Sequence, residues 1–236
     1  LNSVDTEVRL KLIAAGSILD RADQGDLTRG HVSVRVPGDP LHFYMKPHSR
    51  GLDEITPENI VVCNLDGEKV GGGGRRHSEV FIHSEVYKLR PDVMSVIHVH
   101  PTHAVALSAT GKPLLPISQP GVAFMDGGKG GVPYFTETID LIRTPAMGLA
   151  VARALGGHKA AFLRNHGVVV VGASLEESTV LSLLLEEACR IQLLAMAAGG
   201  IGPMFSADSI DKLHHNITRP EQYTINFDYL RRKAGL

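Results

Sequence analysis

The chain has 236 residues, 43% hydrophobic and 21% charged, with a formal net charge of −1; that length buries a core as one large α/β domain or two small ones. Near-neutral charge with scattered basic residues excludes a nucleic-acid surface, and no apolar run is long enough to span a membrane. Cys63 and Cys189 stand at no metal-ligand spacing and read as small buried residues in a reducing compartment, and the opening Leu1-Asn2-Ser3 carries no secretory leader, so the expected location is cytoplasmic.

From residue 4 to 21 the apolar side chains of Val4, Val8, Leu12, Ile18 and Leu19 fall at helical spacing, with a stop near Gly25. Strand-like runs follow at 31–36, 41–45 and 60–65. Pro37-Gly38-Asp39-Pro40 joins the first two, and Asp66-Gly67 turns the chain after the third. Gly71 to Gly74 read as a flexible loop leading to the site. Residues 78–89 read as a helix capped by Ser78, with Val80, Phe81, Ile82, Val86 and Leu89 on its apolar side. Beyond Pro91-Asp92 the expectation is a strand over 93–99 and a short helix over 102–109 behind it. The stretch 111–133 is too rich in Gly and Pro to assign, whereas 145–155 is helical and stopped by Gly156-Gly157. Strands over 160–164 and 168–171 flank Asn165-His166-Gly167. Ser174 and Glu177 then form a capping box for a helix reaching about Ala198. The tail after Gly202, with Tyr223 and Tyr229, reads as only partly regular. Short strands first and helices around the later ones predict one domain over 1–236, an α/β sandwich with a mixed or mostly antiparallel sheet.

Three histidines carry the chemistry. His98 and His100 lie in Val-Ile-His-Val-His-Pro, and His166 in Leu-Arg-Asn-His-Gly, each at the end of an apolar, β-branched stretch. Strand residues two apart project from one face, so the pair can converge on one divalent ion, Zn2+ or Mn2+. Glu79, ending Arg75-Arg76-His77-Ser78-Glu79, offers a fourth ligand or an acid/base group. Neutral imidazoles leave the ion its charge and open positions, as a catalytic centre requires. Each histidine alone reads as a satisfied strand-end residue; the set reads as a metal site. No phosphate loop is present, because Gly71 to Gly74 precede two arginines and not Lys-Ser/Thr.

With these motifs in order (Gly30-His31-Val32-Ser33-Val34-Arg35, Ser78-Glu79, His98-Val99-His100, Asn165-His166-Gly167), nearly the whole chain resembles the class II aldolase/adducin family, whose enzymes include fuculose-phosphate aldolase. The resemblance implies a three-layer αβα sandwich with a mixed, mostly antiparallel sheet, and a homotetramer with active sites near subunit interfaces. It implies a divalent ion held by Glu79, His98, His100 and His166, with Glu79 also catalytic. The positions that cradle a sugar phosphate in the aldolases match Gly30-His31, Arg50-Gly51 and His77-Ser78-Glu79 here. Imidazole and guanidinium there suit a carboxylate, which guanidinium binds through paired hydrogen bonds. The segment matching the catalytic tyrosine reads Pro116-Ile117-Ser118-Gln119-Pro120, so that donor is missing or moved to Tyr134, Tyr223 or Tyr229.

The expected substrate-binding set is His31, Ser49, Arg50, Gly51, Arg76, Ser78, Gln119 and Tyr223. These departures are similar to the family's decarboxylase branch, which acts on hydroxylated aromatic dicarboxylates such as 3-hydroxy-2-methylpyridine-4,5-dicarboxylate or dihydroxyphthalate. In that reading the substrate's hydroxyl and adjacent carboxylate meet the ion, Glu79 manages protonation, and Arg50 or Arg76 grips the second carboxylate. The alternatives are an aldolase acting on a sugar phosphate or short hydroxy-keto acid, and a non-catalytic, adducin-like assembly module.

Overall fold

The run Ser95–Val99 is apolar on both faces because it is an interior strand of a sheet covered on both sides. The computed structural model describes residues 3–125 and 130–236. Residues 126–129, within the unassigned 111–133 stretch, and Leu1 and Asn2 of the leader reading lie outside the described residues. The strands are β1 (His31–Val36), β2 (Asp39–Met45), β3 (Val61–Asn64), β4 (Lys69–Gly72), β5 (Ser95–Val99), β6 (Tyr134–Phe135), β7 (Ala160–Leu163) and β8 (Gly167–Gly172). They form an eight-stranded sheet in the order β4-β3-β2-β1-β5-β8-β7-β6. Neighbours are antiparallel apart from β6 and β7, which run parallel, so the expected mixed, mostly antiparallel sheet is present.

The helices are α1 (Ser3–Arg21), α2 (Val80–Leu89), α3 (Thr102–Thr110), α4 (Gln119–Val122), α5 (Pro145–Leu155), α6 (Leu175–Ala197), α7 (Ala207–Ile217) and α8 (Pro220–Lys233). Strand alternation divides the core in two. Val168 and Val170 face Leu12, Leu19, Leu181 and Leu185 of α1 and α6. Val169 and Val171 face Val80, Ile82 and Val86 of α2 and Val151 and Leu155 of α5. Each such aliphatic side chain contributes roughly 1.5–3 kcal/mol on burial, so both helical layers are fixed to the sheet. Cys63 and Cys189 are free and buried, in keeping with the sequence reading.

Three local expectations change. Gly71 and Gly72 belong to the edge strand β4 and not to a flexible loop. A Cβ at Gly72 would stand 2.0 Å from the Ile60 carbonyl oxygen, one at Gly73 2.2 Å from that of Glu58, and Gly72 also has φ +81°. The glycines allow close backbone approach, with chain flexibility no part of their role. Ser78 does not cap α2; the cap position is Glu79, whose side chain makes no capping bond because the site uses it. The tail forms α7, capped by Ser206, and α8, which starts at Pro220 and packs on α6 through Tyr223 and Phe227. Ser174 caps α6 as read, its Oγ accepting from Glu177 N–H, but the Glu177 carboxylate accepts from Ala173 N–H and not from that of Ser174, so the box closes one residue earlier than read.

Candidate metal centre

Register builds the site. His31 of β1 stands directly opposite His98 of β5, and Val169 of β8 opposite His98 on the other side, so both imidazoles project toward α2. His100 follows β5, and His166 occupies the turn between β7 and β8. That turn needs its flanking residues: Asn165 adopts φ 61°, a left-handed conformation that asparagine tolerates. A Cβ at Gly167 would stand 2.6 Å from the His100 ring and 2.6 Å from the Val99 carbonyl oxygen. Glycine there lets the turn close onto the histidines.

The nitrogens are prepared as ligands. His98 Nδ1 donates to the Val168 carbonyl at 3.0 Å, leaving the Nε2 lone pair for the site. His100 Nδ1 lies 3.3 Å from Asp26 Oδ2 without a hydrogen bond to it. His98 and His100 bring their Nε2 atoms to 3.1 Å from one another. Both ring nitrogens of His166 are buried without a hydrogen-bond partner. Burial is the main cause that lowers all three basicities: His98 well below the usual 6.5, His100 to about 4, and His166 also downward. Neutral, convergent, unpaired nitrogens are the donor set a divalent cation satisfies, and they fit the expected ion.

Glu79 completes the cluster. Its Oε1 is 3.8 Å from His166 Nε2, and its Oε2 is 3.9 Å from His98 Nε2 and 3.7 Å from His31 Nε2. One ligand atom from each of His98, His100 and His166 falls within 4.8 Å of the others, as does one from each of His31, Glu79 and His98. The Ile142 N–H donates to Glu79 Oε1 at 2.9 Å and fixes the carboxyl, while burial raises its pKa and holds protonation within reach.

Against the imidazoles lies a cavity of about 560 Å3 lined by Asp26, Arg29, His100, Asp140, Asn165 and His166 among others. Arg29 was not singled out in the sequence; it sits in an irregular loop, its guanidinium 3.0 Å from Asp26. Lys46 was also missed. It is fully buried, donating to the carbonyls of Thr28 and Pro47 at 3.0 and 3.3 Å and to His77 Nε2 at 3.3 Å. These partners are neutral, and burial lowers its pKa to about 8. His77 in turn packs against His31, with ring centroids 4.5 Å apart and the planes tilted by 47°.

The substrate-binding expectations divide. His31 is buried at the cluster beside Glu79. The Ser49-Arg50-Gly51 turn adjoins it indirectly, through His48, whose ring lies tilted against that of His77. Arg50 itself is 57% exposed and lies 3.6 Å from Glu54. Arg76 is half-buried, donating to the His77 carbonyl and lying over the Phe81 ring, and Ser78 is exposed. Gln119 lines a groove with Phe205, Ile210 and Leu213. Tyr223 lines a cavity with Lys159 and Glu177 at the opposite end of β7 and β8 from His166. Within one chain neither Gln119 nor Tyr223 reaches the histidines.

Comparison with known proteins follows the same lines. The family profile described as "Class II Aldolase and Adducin N-terminal domain" matches residues 10–193. The "Meiotically up-regulated gene 14 protein" of Schizosaccharomyces pombe is 35% identical over 193 residues, 81% of this chain and 74% of that protein. "Decarboxylase NovR" of Streptomyces niveus is 34% identical over 179 residues, 75% of this chain; the chain spans just under two thirds (64%) of its length. Among solved structures, the "L-fuculose 1-phosphate aldolase from Glaciozyma antarctica PI12" superposes with a TM-score of 0.86 at 26% identity, covering 98% of this chain and 90% of that one.

Proposed function

This chain belongs to the class II aldolase and adducin family, and we propose that it is a divalent-metal-dependent lyase that decarboxylates a hydroxylated aromatic or pyridine dicarboxylate. The observation that carries the reading is the set of three neutral, convergent imidazoles around a buried carboxyl of raised pKa. His98, His100 and His166 would hold the ion, Zn2+ or Mn2+, with Glu79 close enough to complete the set. The bound ion would supply Lewis acidity toward the substrate oxygen on which negative charge develops.

The polypeptide does the rest. Decarboxylation breaks the bond from ring carbon to carboxylate, releases carbon dioxide and leaves the electron pair on the ring. A proton from Glu79 Oε2 then replaces the lost group, while the Ile142 N–H holds Oε1 and aims the carboxyl. Arg29, which shares the cavity wall with Asp26 and Asp140, offers the guanidinium that would pair with a second carboxylate. Members of the family are often oligomeric. Gln119 and Tyr223, remote from their own chain's imidazoles, would take part only at a tetramer interface, from a neighbouring copy.

The fold match to an L-fuculose 1-phosphate aldolase supports the second reading, cleavage of a sugar phosphate or short hydroxy-keto acid. A non-catalytic assembly role leaves the converging ligand set without a purpose. The deciding experiment incubates zinc- or manganese-loaded protein with hydroxylated phthalates and pyridine dicarboxylates, and separately with fuculose 1-phosphate. Carbon dioxide without a carbonyl co-product is the expected result, and aldehyde release from the sugar phosphate alone would replace this reading by the second.

A further inference from the structure

Behind His31 runs a line of buried polar side chains that no step above uses. His31 Nδ1 is 2.6 Å from His83 Nε2, His83 Nδ1 is 2.6 Å from Ser33 Oγ, and Ser33 Oγ is 2.8 Å from the Tyr87 hydroxyl. All four residues are buried. They come from two surfaces in contact. Positions 31 and 33 alternate on β1, while 79, 83 and 87 repeat every four residues along α2, a polar stripe on a helix that otherwise faces the core. Polar groups placed so deep are costly unless every one is paired.

Each link holds one proton and a neutral imidazole carries one, so His83 donates at one of its links and accepts at the other; Ser33 accepting at both links would leave its own proton only the Val96 carbonyl, at 3.5 Å. In one arrangement the Tyr87 phenol donates to Ser33, Ser33 donates to His83 Nδ1, and His83 Nε2–H donates to His31 Nδ1. His31 then carries its own proton on Nε2, a buried atom without a hydrogen-bond partner, 3.7 Å from Glu79 Oε2. In the reverse arrangement the phenol proton has only the Met94 carbonyl, at 3.5 Å. The first arrangement keeps both hydroxyl protons in links of 2.6 to 2.8 Å and ends with a donor at His31 Nε2.

We propose that Tyr87, Ser33 and His83 form a tautomer lock that keeps His31 as a fixed Nε2–H donor beside Glu79, aimed at an anionic oxygen of the substrate. The lock is not a proton conduit. Handing the His31 proton onward and refilling it through the chain would leave a buried tyrosinate, and burial pushes the Tyr87 phenol well above its usual range. His31 therefore lends a hydrogen bond and keeps its proton. It acts by electrostatic stabilisation, with the three residues behind it as positioning residues. The role of the donor rests on the lyase reading above, whereas the lock is a property of the polypeptide alone and is tested without turnover.

The test is the tautomeric state of His31 and His83, read from long-range 1H–15N correlations in 15N-histidine-labelled protein, metal-free and zinc-loaded. Both rings are expected to carry the proton on Nε2 in both states. Ser33→Ala removes the donor to His83. Tyr87→Phe frees Ser33 to accept from His83 and turn its own proton to the Val96 carbonyl, 3.5 Å away. Either variant is expected to give mixed tautomers at His31. The wild-type spectrum decides even where a variant folds poorly. His31 protonated on Nδ1, with Nε2 perturbed by zinc, would make it a further metal ligand and overturn the lock. So would an unchanged His31 tautomer in both folded variants. A lock seen in protein that decarboxylates nothing would instead count against the function and leave the lock standing.

Discussion

Replacing Lys46 by methionine isolates the cost of a charge buried among neutral partners. Lys46 titrates at about 8 in the fold against the usual 10.5, so between those values the unfolded chain binds more protons than the folded one. Stability must then rise with pH through that window. Linkage puts the penalty at about 3 kcal/mol at pH 7 and about 1 kcal/mol at pH 10, a relief of about 2 kcal/mol. Lys46→Met removes the titration and keeps most of the side chain's volume. Lost bonds to the Thr28 and Pro47 carbonyls, on the order of 1 kcal/mol each, shift the variant's stability by a constant, so the pH slope is the quantity to measure. Urea denaturation of both proteins at half-unit steps from pH 7 to 10 gives it, because tyrosines and cysteines titrate alike in both. The difference in unfolding free energy, wild type minus variant, is expected to climb by about 2 kcal/mol over that range. Parallel stability curves would refute the reasoning and place the ammonium in contact with water or a counter-ion.

Removing His98, His100 and His166 together by alanine substitution is expected to abolish stoichiometric zinc binding, measured by elemental analysis after dialysis, while the far-ultraviolet dichroism stays native. His98→Val is expected to exceed the wild type in stability when metal-free, because it replaces a fully buried imidazole by an aliphatic side chain, and to fall below it in zinc. Ligand at a hundredfold excess over its dissociation constant stabilises the wild type by about 2.7 kcal/mol, which thermal melts with and without chelator will show. Glu79→Gln keeps its bond from Ile142 N–H but carries no transferable proton, so turnover should fall at least about a hundredfold with zinc content only partly reduced. Arg29→Met is expected to weaken dicarboxylate binding about tenfold by calorimetry, whereas Arg50→Met, on an exposed side chain, should leave it unchanged. Equal losses in the two arginine variants would return Arg50 to the binding site.

The metal cluster was legible because strand alternation is the shortest-range rule in the chain. His98 and His100 differ by two, and the apolar residues between and before them mark a strand. Asn165-His166-Gly167 carried its own turn chemistry in the left-handed asparagine and the glycine pressed on His100. The lock was hidden because it depends on which face of α2 meets which residue of β1. Its signal existed, Glu79, His83 and Tyr87 at helical spacing, but the apolar residues of the same helix masked it. Arg29 lies in a loop without periodicity, so nothing local ties it to His100. Gly71 to Gly74 misled for a different reason: composition reports flexibility, whereas these glycines serve backbone contact, which only the fold displays. The tail escaped because Pro220 divides it into two short helices, and α7 buries no residue.

The chain's relatives carry the names aldolase, decarboxylase and adducin alike, so the decision rests on what the site costs the chain. His98 occupies an interior strand position flanked in the sheet by Val169, where a branched aliphatic residue would pack as well and need no partner. The chain instead places opposed Nε2 atoms at 3.1 Å, leaves both nitrogens of His166 buried and unpaired, and inserts a carboxyl whose pKa burial raises. An unsatisfied buried polar group costs about 1–3 kcal/mol, a large share of a typical stability of 5–15 kcal/mol when several converge. Scaffolding needs none of them. Their cost is offset when a cation draws the nitrogens together and an anion meets Arg29 in the adjoining cavity, the two ligands that a metal-assisted decarboxylation would bring.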